Sequence, residues 1–259
     1  SFTLNVNKAN QTISFTGPAS QSLGVGTVGV AATATSGLTV SFASTTPATC
    51  SVAGSTVTLI AVGTCTVRAS QTGNANFNAA ATVDQSFNIT QGTQTISFPT
   101  QAPASRAYVS SGTFRISPAA TASSGLAVSY SSLTTAVCTV SVATVTMVRA
   151  GICTIAANQA GNANFSAASQ VTQSVTITGT APGAPTLSTA TGGDTKITLA
   201  FSAPANDGGS SITSYTATCG GVTAMGAGSP IAVMGLTNGM SYTCTVAATN
   251  AAGTGSTMG

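Results

Sequence analysis

The chain has 259 residues, of which 42% are hydrophobic and only 3% charged, with a formal net charge of +3. Its cations, Lys8, Lys196, Arg68, Arg106, Arg115 and Arg149, are scattered, whereas nucleic-acid binding takes a clustered basic face that neutralises several phosphates. Histidine and glutamate are absent and the acids are Asp84, Asp194 and Asp207, which excludes histidine-based acid–base catalysis and a Ser-His-Asp triad.

The first predicted element is residues 1–6, SFTLNV, where Phe2, Leu4 and Val6 alternate with Ser1, Thr3 and Asn5. That alternation gives a strand one apolar face. Segment one follows over 7–90 as QTISF (11–15), LTVSFAS (38–44), ATCSVAGSTVTLIAVGTCTV (48–67), GNANF (73–77) and SFNIT (86–90). Segment two, over 91–178, repeats it as QTISF (94–98), LAVSYSS (126–132), AVCTVSVATVTMVRAGICTI (136–155), GNANF (161–165) and SVTIT (174–178). The offset between copies is 83 at Gln11/Gln94 and 88 at Cys50/Cys138, Gly73/Gly161 and Ser86/Ser174. The second copy therefore carries five extra residues before LAVSY, expected in a surface loop. A Pro/Gly stretch over 179–185 reads as a stiff linker. Segment three, 186–259, has its own pattern and stops soon after AATNAAGTG, so that its last strand looks incomplete.

Hydroxylated and apolar residues alternate with period two in runs such as Thr56–Ile60 and Thr64–Val67. Gly, Asn, Pro and Ser clusters break the runs every 8–12 residues or so, the spacing of short sandwich strands. No stretch has helical periodicity, and no run approaches the roughly 18 apolar residues of a membrane span. The expected fold class is all-β: three tandem immunoglobulin-like β-sandwich domains, each with one intradomain disulfide.

Six cysteines fall as Cys50/Cys65, Cys138/Cys153 and Cys219/Cys244, at separations of 15, 15 and 25. They could pair in 15 ways. The repetition of the first two pairs in equivalent contexts favours pairing within each segment. Zinc is the competing reading, but no CxxC spacing and no histidine accompany them. Disulfides imply an oxidising compartment, extracellular or at the cell surface. The sequence starts at Ser1 with no signal peptide, as expected of a processed form or a fragment.

On QTISF, the paired cysteines around a β-meander and GNANF, residues 7–178 resemble bacterial immunoglobulin-like repeats of large surface proteins. On PGAP (182–185), ITLAFSAPANDGGSSITSY (197–215) and LTNGMSYTCTVAATNAAGTG (236–255), the third segment resembles a bacterial fibronectin type III domain. Phe201 stands where that family has Trp. The resemblance implies that Tyr242 is a tyrosine corner, its hydroxyl pinning a loop backbone. It also implies spacer, adhesion or assembly roles rather than one activity.

The residues carry little chemistry. Asp194 and Asp207 sit in Gly-rich turns, and Asp84 near a strand start can pair with an Arg or face water. A calcium site at Asn206 and Asp207 and a Lys–Asn crosslink from Lys8 or Lys196 lack the supporting acids. No cofactor, metal or enzymatic role is expected. Asn10, Asn88 and Asn164 fit the glycosylation sequon, which leaves glycan attachment undecided. The ends suggest more. Residues 1–6 look like the last strand of a repeat, and the third segment looks short of one. Two readings stand: these are cut points in a longer protein, or Phe2, Leu4 and Val6 form an assembly strand entering the third domain of another copy. The expected function is a structural subunit of an extracellular filament or surface fibre, with copies of itself as partners. The alternatives are an adhesin or spacer segment and, less in keeping with four Tyr and no Trp, an accessory region of a carbohydrate-active enzyme.

Overall fold

The computed structural model describes residues 2–258. Ser1 and Gly259, the outermost residues of the expected terminal strand and of the third domain, lie outside the described residues. The chain divides into two compact units, one of Ser1–Thr95, Ala122–Leu126 and Gln159–Ser169, the other of Ile96–Thr121, Ala127–Asn158 and Gln170–Gly259. Among the described residues the structure is all-β apart from a 3-10 turn at Leu23–Val25.

The first sandwich has β1 (Ile13–Phe15), β2 (Gln21–Ser22), β3 (Thr27–Gly29), β4 (Ala32–Ala34), β5 (Ser41–Ser44), β6 (Cys50–Ala53), β7 (Thr56–Leu59), β8 (Gly63–Ser70) and β9 (Val83–Thr90). One sheet runs β2-β9-β8-β5, with β2 parallel to β9. A second runs β3-β7-β6, while β1 pairs antiparallel with β4. The period-two pattern delivers the core: Val57, Leu59, Cys65, Val67, Ala69, Phe87 and Ile89 point inward between exposed Thr, Ser and Asn. Phe15 and Phe42 pack at 5.3 Å between ring centroids.

The second sandwich repeats this plan with β10 (Ile96–Ser97), β11 (Ser105–Ala107), β12 (Thr113–Arg115), β13 (Thr121–Ala122), β14 (Ser129–Ser132), β15 (Cys138–Ser141), β16 (Thr144–Met147), β17 (Gly151–Asn158) and β18 (Val171–Thr178). Its sheets are β11-β18-β17-β14, again with a parallel first pair, and β12-β16-β15. The extra residues are spread over more than one connection. Strand registers place Arg106 where Gln21 lies and Thr113 where Thr27 lies, so the offset grows in steps from 83 to 85, 86 and 88. These residues are not loose. Gln101 is 4% exposed, donates to the carbonyls of Pro99 and Pro118, and accepts the Ser117 N–H. A buried amide with its capacity filled fixes a loop that composition alone would leave free.

The third sandwich has β19 (Thr186–Gly193), β20 (Lys196–Ser202), β21 (Ser214–Cys219), β22 (Val222–Gly226), β23 (Ile231–Met234), β24 (Cys244–Asn250) and β25 (Gly253–Thr254). The sheets are β19-β20-β23 and β22-β21-β24-β25. Leu199, Phe201, Tyr215, Val233 and Val246 fill the space between them. The last strand is short rather than missing. After β25, the Gly255 N–H donates to Ala248, and Met258 exchanges both backbone bonds with Val246. The Asn250 side-chain oxygen accepts from Ala252 and Gly253 and so turns the chain back to make this hairpin.

All six cysteines are bridged in the expected pairs, Cys50–Cys65, Cys138–Cys153 and Cys219–Cys244. The three bridges are not alike. In the first two sandwiches the bond joins strands of opposite sheets, β6 to β8 and β15 to β17. In the third, Cys219 and Cys244 lie directly opposite each other on neighbouring strands of one sheet. Equal spacing identified the first two as equivalents. Spacing did not distinguish an inter-sheet clamp from a cross-strand staple.

One position breaks the symmetry of the repeats. The β6–β7 hairpin turns on Gly54 at φ 59°, and the β15–β16 hairpin turns on Val142 at φ 54°. A β-branched residue there is strained, and this one is 87% exposed, so it gains little from packing. Replacing Val142→Gly relieves left-handed strain of about 1–2 kcal/mol and adds back roughly half of that in chain entropy. The expected outcome is a melting temperature a few degrees higher for the second domain, read by calorimetry, with the other transitions unmoved.

Candidate assembly site

The repeated QTISF and GNANF motifs meet in space. Gln11 is buried at the start of the first sandwich, where its Nε2 donates to Gln71 Oε1 and to the Asn78 carbonyl, each at 2.7 Å. Its Oε1 accepts from Ser36, and Gln71 Oε1 also accepts the Gly73 N–H. Gln94 does the same in the second copy, donating to Gln159 Oε1 and to the Ser166 carbonyl and accepting from Ser124. The loops themselves close on an asparagine. Asn74 Oδ1 accepts the N–H groups of Asn76 and Phe77, and Asn162 Oδ1 accepts those of Asn164 and Phe165. Each loop opens on a glycine with φ near +75° whose missing Cβ would lie 2.3 Å from a carbonyl oxygen, Phe77 for Gly73 and Phe165 for Gly161. Only glycine meets both conditions.

In the second copy this rigid loop touches the first sandwich, all within the first compact unit. Asn164 Oδ1 accepts the Val62 N–H at 3.1 Å, and Gln91 Nε2 donates to the Asn162 carbonyl at 2.9 Å. Gly92 exchanges backbone bonds with Asn164 and Ser166 and leaves room for the Phe165 ring. Val62 sits in the turn between β7 and β8, beside the end of β9. The same turn of the second sandwich works alike within the second unit. Ala150, 88 residues after Val62, donates its N–H to the Gly209 carbonyl at 2.9 Å, and Arg149 donates to Ser211. Tyr108 packs its ring on Gly209, where any side chain would collide.

Residues 179–185, expected as a linker, are bonded into the third domain. Thr180 donates to Gly208 and Gly183 donates to Asn206, while Pro185 is buried. Asn250, 4% exposed, donates to the Thr180 and Asp207 carbonyls at 2.8 and 2.7 Å. A lone Asn before Ala-Ala-Gly carries no mark of this role in the sequence. Asn206 and Asp207 use side-chain oxygens to accept the N–H groups of Gly208 and Gly209, the oxygens a calcium ion would need. The Tyr242 hydroxyl accepts the Thr237 N–H at 2.8 Å, and its ring lies against Gly220. Beside it, Asn238 accepts from Thr195 and donates to Asp194. Gly192, Lys196, Leu236, Asn238, Met240 and Tyr242 border a cleft of about 390 Å³ at that end of the domain.

Phe2, Leu4 and Val6 are 101%, 89% and 99% exposed, and residues 2–8 pair with no strand. Carried across by the 83-residue offset, Leu4 and Val6 match Phe87 and Ile89, which are 5% and 2% exposed in β9. Leu4 and Val6 thus match inward-facing positions of β9, Phe2 matches the half-buried Gln85, and all three are exposed here. Among the sequons, Asn164 is committed to Val62, and Asn10 Oδ1 accepts from Asn78.

Charge contributes little to any of this. Among the described residues the ion pair is Arg68–Asp84, two hydrogen bonds of 2.8 Å across β8 and β9 in the open. The hydrogen bond from Arg68 holds the Asp84 carboxyl below its ordinary range. No helix among the described residues is long and apolar enough to cross a membrane, and no group of His, Cys, Asp and Glu could hold a metal ion.

No family model and no curated protein sequence matches the chain. Solved structures similar to it are tandem sandwiches. Domains A168–A170 of titin align at 15% identity over 98% of this chain and 93% of that one, with a TM-score of 0.32. Drosophila N-cadherin EC1-4 aligns at 11% over 95% and 74%, TM-score 0.31, and the FN1–FN3 domains of chicken CNTN1 at 11% over 98% and 97%, TM-score 0.29. The three-sandwich assignment rests on the strand order, the registers and the bridges described above.

Two outcomes follow. Asn250→Ala leaves two carbonyls and two N–H groups without partners at a buried position, a loss of about 2–4 kcal/mol. It lowers the urea midpoint of the third domain, followed by Tyr fluorescence. Stability is flat from about pH 5 to 9, because no side chain of a type that titrates there is present. The contribution of Asp84, whose folded pKa is lowered, is complete above the ordinary carboxylate range. It is lost as pH falls through the lowered value, and Asp84→Asn removes this acid limb from melting curves taken between pH 2 and 5.

Proposed function

We propose that this chain is a structural subunit of an extracellular or cell-surface fibre, with no enzymatic role, built from two bacterial-type immunoglobulin-like repeats over 7–178 and a fibronectin type III-like domain from 186. In this reading residues 1–6 are the assembly strand. Phe2, Leu4 and Val6 enter the third domain of a second copy and run along the start of β24. The observation that carries the reading is the fully exposed apolar face of residues 2–6, in register with the buried strands β9 and β18.

The acceptor has the right weakness. β9 pairs with β8 over seven residues, whereas β25 pairs with β24 over two and returns only at the Met258 bridge. Ser256, Thr257 and Met258 are exposed, and none of the described residues pairs with Cys244 or Thr245 on that side. Strand addition gains backbone hydrogen bonds at an open edge and pockets for alternate side chains. A head-to-tail contact of this kind propagates instead of closing. The near absence of charge removes the repulsion that keeps copies apart. The three bridges suit an oxidising compartment.

Deleting residues 1–6, or placing aspartate at both Leu4 and Val6, abolishes fibres in negative-stain images and leaves monomers in sedimentation velocity. Fibres of unchanged length from either variant would reject the strand's role.

A further inference from the structure

The two junctions inside the chain obey one rule. The turn before the penultimate long strand offers a backbone N–H, from Val62 or Ala150, and a loop of the following domain supplies the oxygen, Asn164 Oδ1 or the Gly209 carbonyl. The same two elements occur once more each, the turn in the third domain and the loop in the first. The corresponding turn of the third domain, between β23 and β24, is Gly235–Thr243, where Met240 is 66% exposed beside the cleft at Tyr242. The corresponding loop of the first domain is Asn74–Phe77. It is braced by Gln11, Gln71 and Gly73 as its twin is by Gln94, Gln159 and Gly161. Asn76 is the counterpart of Asn164. It is exposed, and among the described residues its side chain takes part in no hydrogen bond.

We propose that Asn74–Phe77 is a docking surface for the Gly235–Met240 turn of a second copy of this chain, with Asn76 Oδ1 accepting a backbone N–H of that turn. The inference rests on the fibre reading above and adds to it a second contact beside the inserted strand.

Continuity of the chain favours this occupant. In the first unit, β9 ends beside Gly63, and three residues later Gly92 lies on the loop that holds Asn164. If residues 2–6 take the same course along β24, they end beside Cys244, and Ala9, the counterpart of Gly92, arrives at the β23–β24 turn. Ala9 is already bonded to its own loop, donating to Asn76 and accepting from Asn78. The inserted strand, taking the places of Met258 at Val246 and of Gly255 at Ala248, therefore delivers the loop to the turn with the loop's own bonds intact. The two contacts are set by one register, so each fixes the position of the other. The surfaces also match in chemistry: a polar loop carrying an acceptor meets a turn whose Leu236 and Met240 border the cleft that Phe77 would approach.

The test uses a charge swap in the full chain. Asn76→Lys and Met240→Asp lie at exposed positions outside both cores, so each variant should melt as the native protein does. Each alone is expected to raise the critical concentration for fibre growth at least tenfold, and the double variant to recover most of that loss. Growth of Asn76→Lys at the native concentration, or a double variant no better than either single one, overturns the docking surface. If at the same time deletion of residues 1–6 still stops growth, the strand reading survives alone. If the unmodified protein stays monomeric in sedimentation at millimolar concentration, both readings fall.

Discussion

A buried carboxamide at the head of each repeat sets the rest of the molecule in order. Gln11 and Gln94 sit where a leucine would give more hydrophobic burial, and each spends all its capacity on a neighbouring glutamine, a loop carbonyl and a serine. A hydrogen-bonded network of this sort is worth little beyond what it cost to desolvate, but it specifies one geometry and penalises every other. What it specifies is a loop. With the carboxamide in place, Gly161 and Asn162 fold the chain so that Asn164 points out of the domain instead of into it. The junction with the preceding sandwich follows from that orientation.

The junctions share a style. Backbone N–H groups, carbonyls, amide side chains and glycines do the work that ion pairs and apolar patches do elsewhere. Gly208 and Gly255 lie so close to the carbonyls of Thr180 and Pro182 that a Cβ would sit about 2 Å from an oxygen. Contacts made of backbone and amides are insensitive to salt, since there is little charge to screen. They are also insensitive to pH across the neutral range, because nothing in them titrates. A surface stocked with Ser, Thr and Asn stays hydrated without a net field, which leaves specificity to shape and register.

Much of this was readable in the chain and some was not. Alternation in Thr56–Ile60 and Thr64–Val67 revealed the strands because one face meets a core and the other meets water. Repetition paired the cysteines. The partnership of QTISF with GNANF was invisible, since the two motifs recur together whether or not they touch, and a glutamine before a strand carries no mark of burial. The bonding of residues 179–185 was hidden for a related reason. Pro and Gly announce that a segment is not helix or strand, yet say nothing about whether its carbonyls are taken. Gly208 and Asn250, far along the sequence, decide that. The turn at Asn250 that brings residues 253–258 back onto β24 was not legible, because it depends on what one side-chain oxygen accepts. The cross-strand placement of Cys219 and Cys244 needed the register of β21 against β24, which spacing does not encode.

The bridges bear on how such a chain answers tension. A covalent bond between two points of a polymer offers a shorter path for force than the backbone it spans. Load applied at the two ends would pass from Cys50 to Cys65 through sulfur, so that residues 51–64 carry none of it, and the same holds for 139–152 and 220–243. Beyond the bridging Cys50 and Cys138, the hairpins β6–β7 and β15–β16 lie inside these bypassed segments and cannot be drawn out straight. Only the outer strands of each sandwich can peel, and the extension available to an unravelled domain is shortened by the contour of the bypassed stretch, roughly 3.5 Å for each residue withheld. The sulfur bonds thus act as stops on a spring.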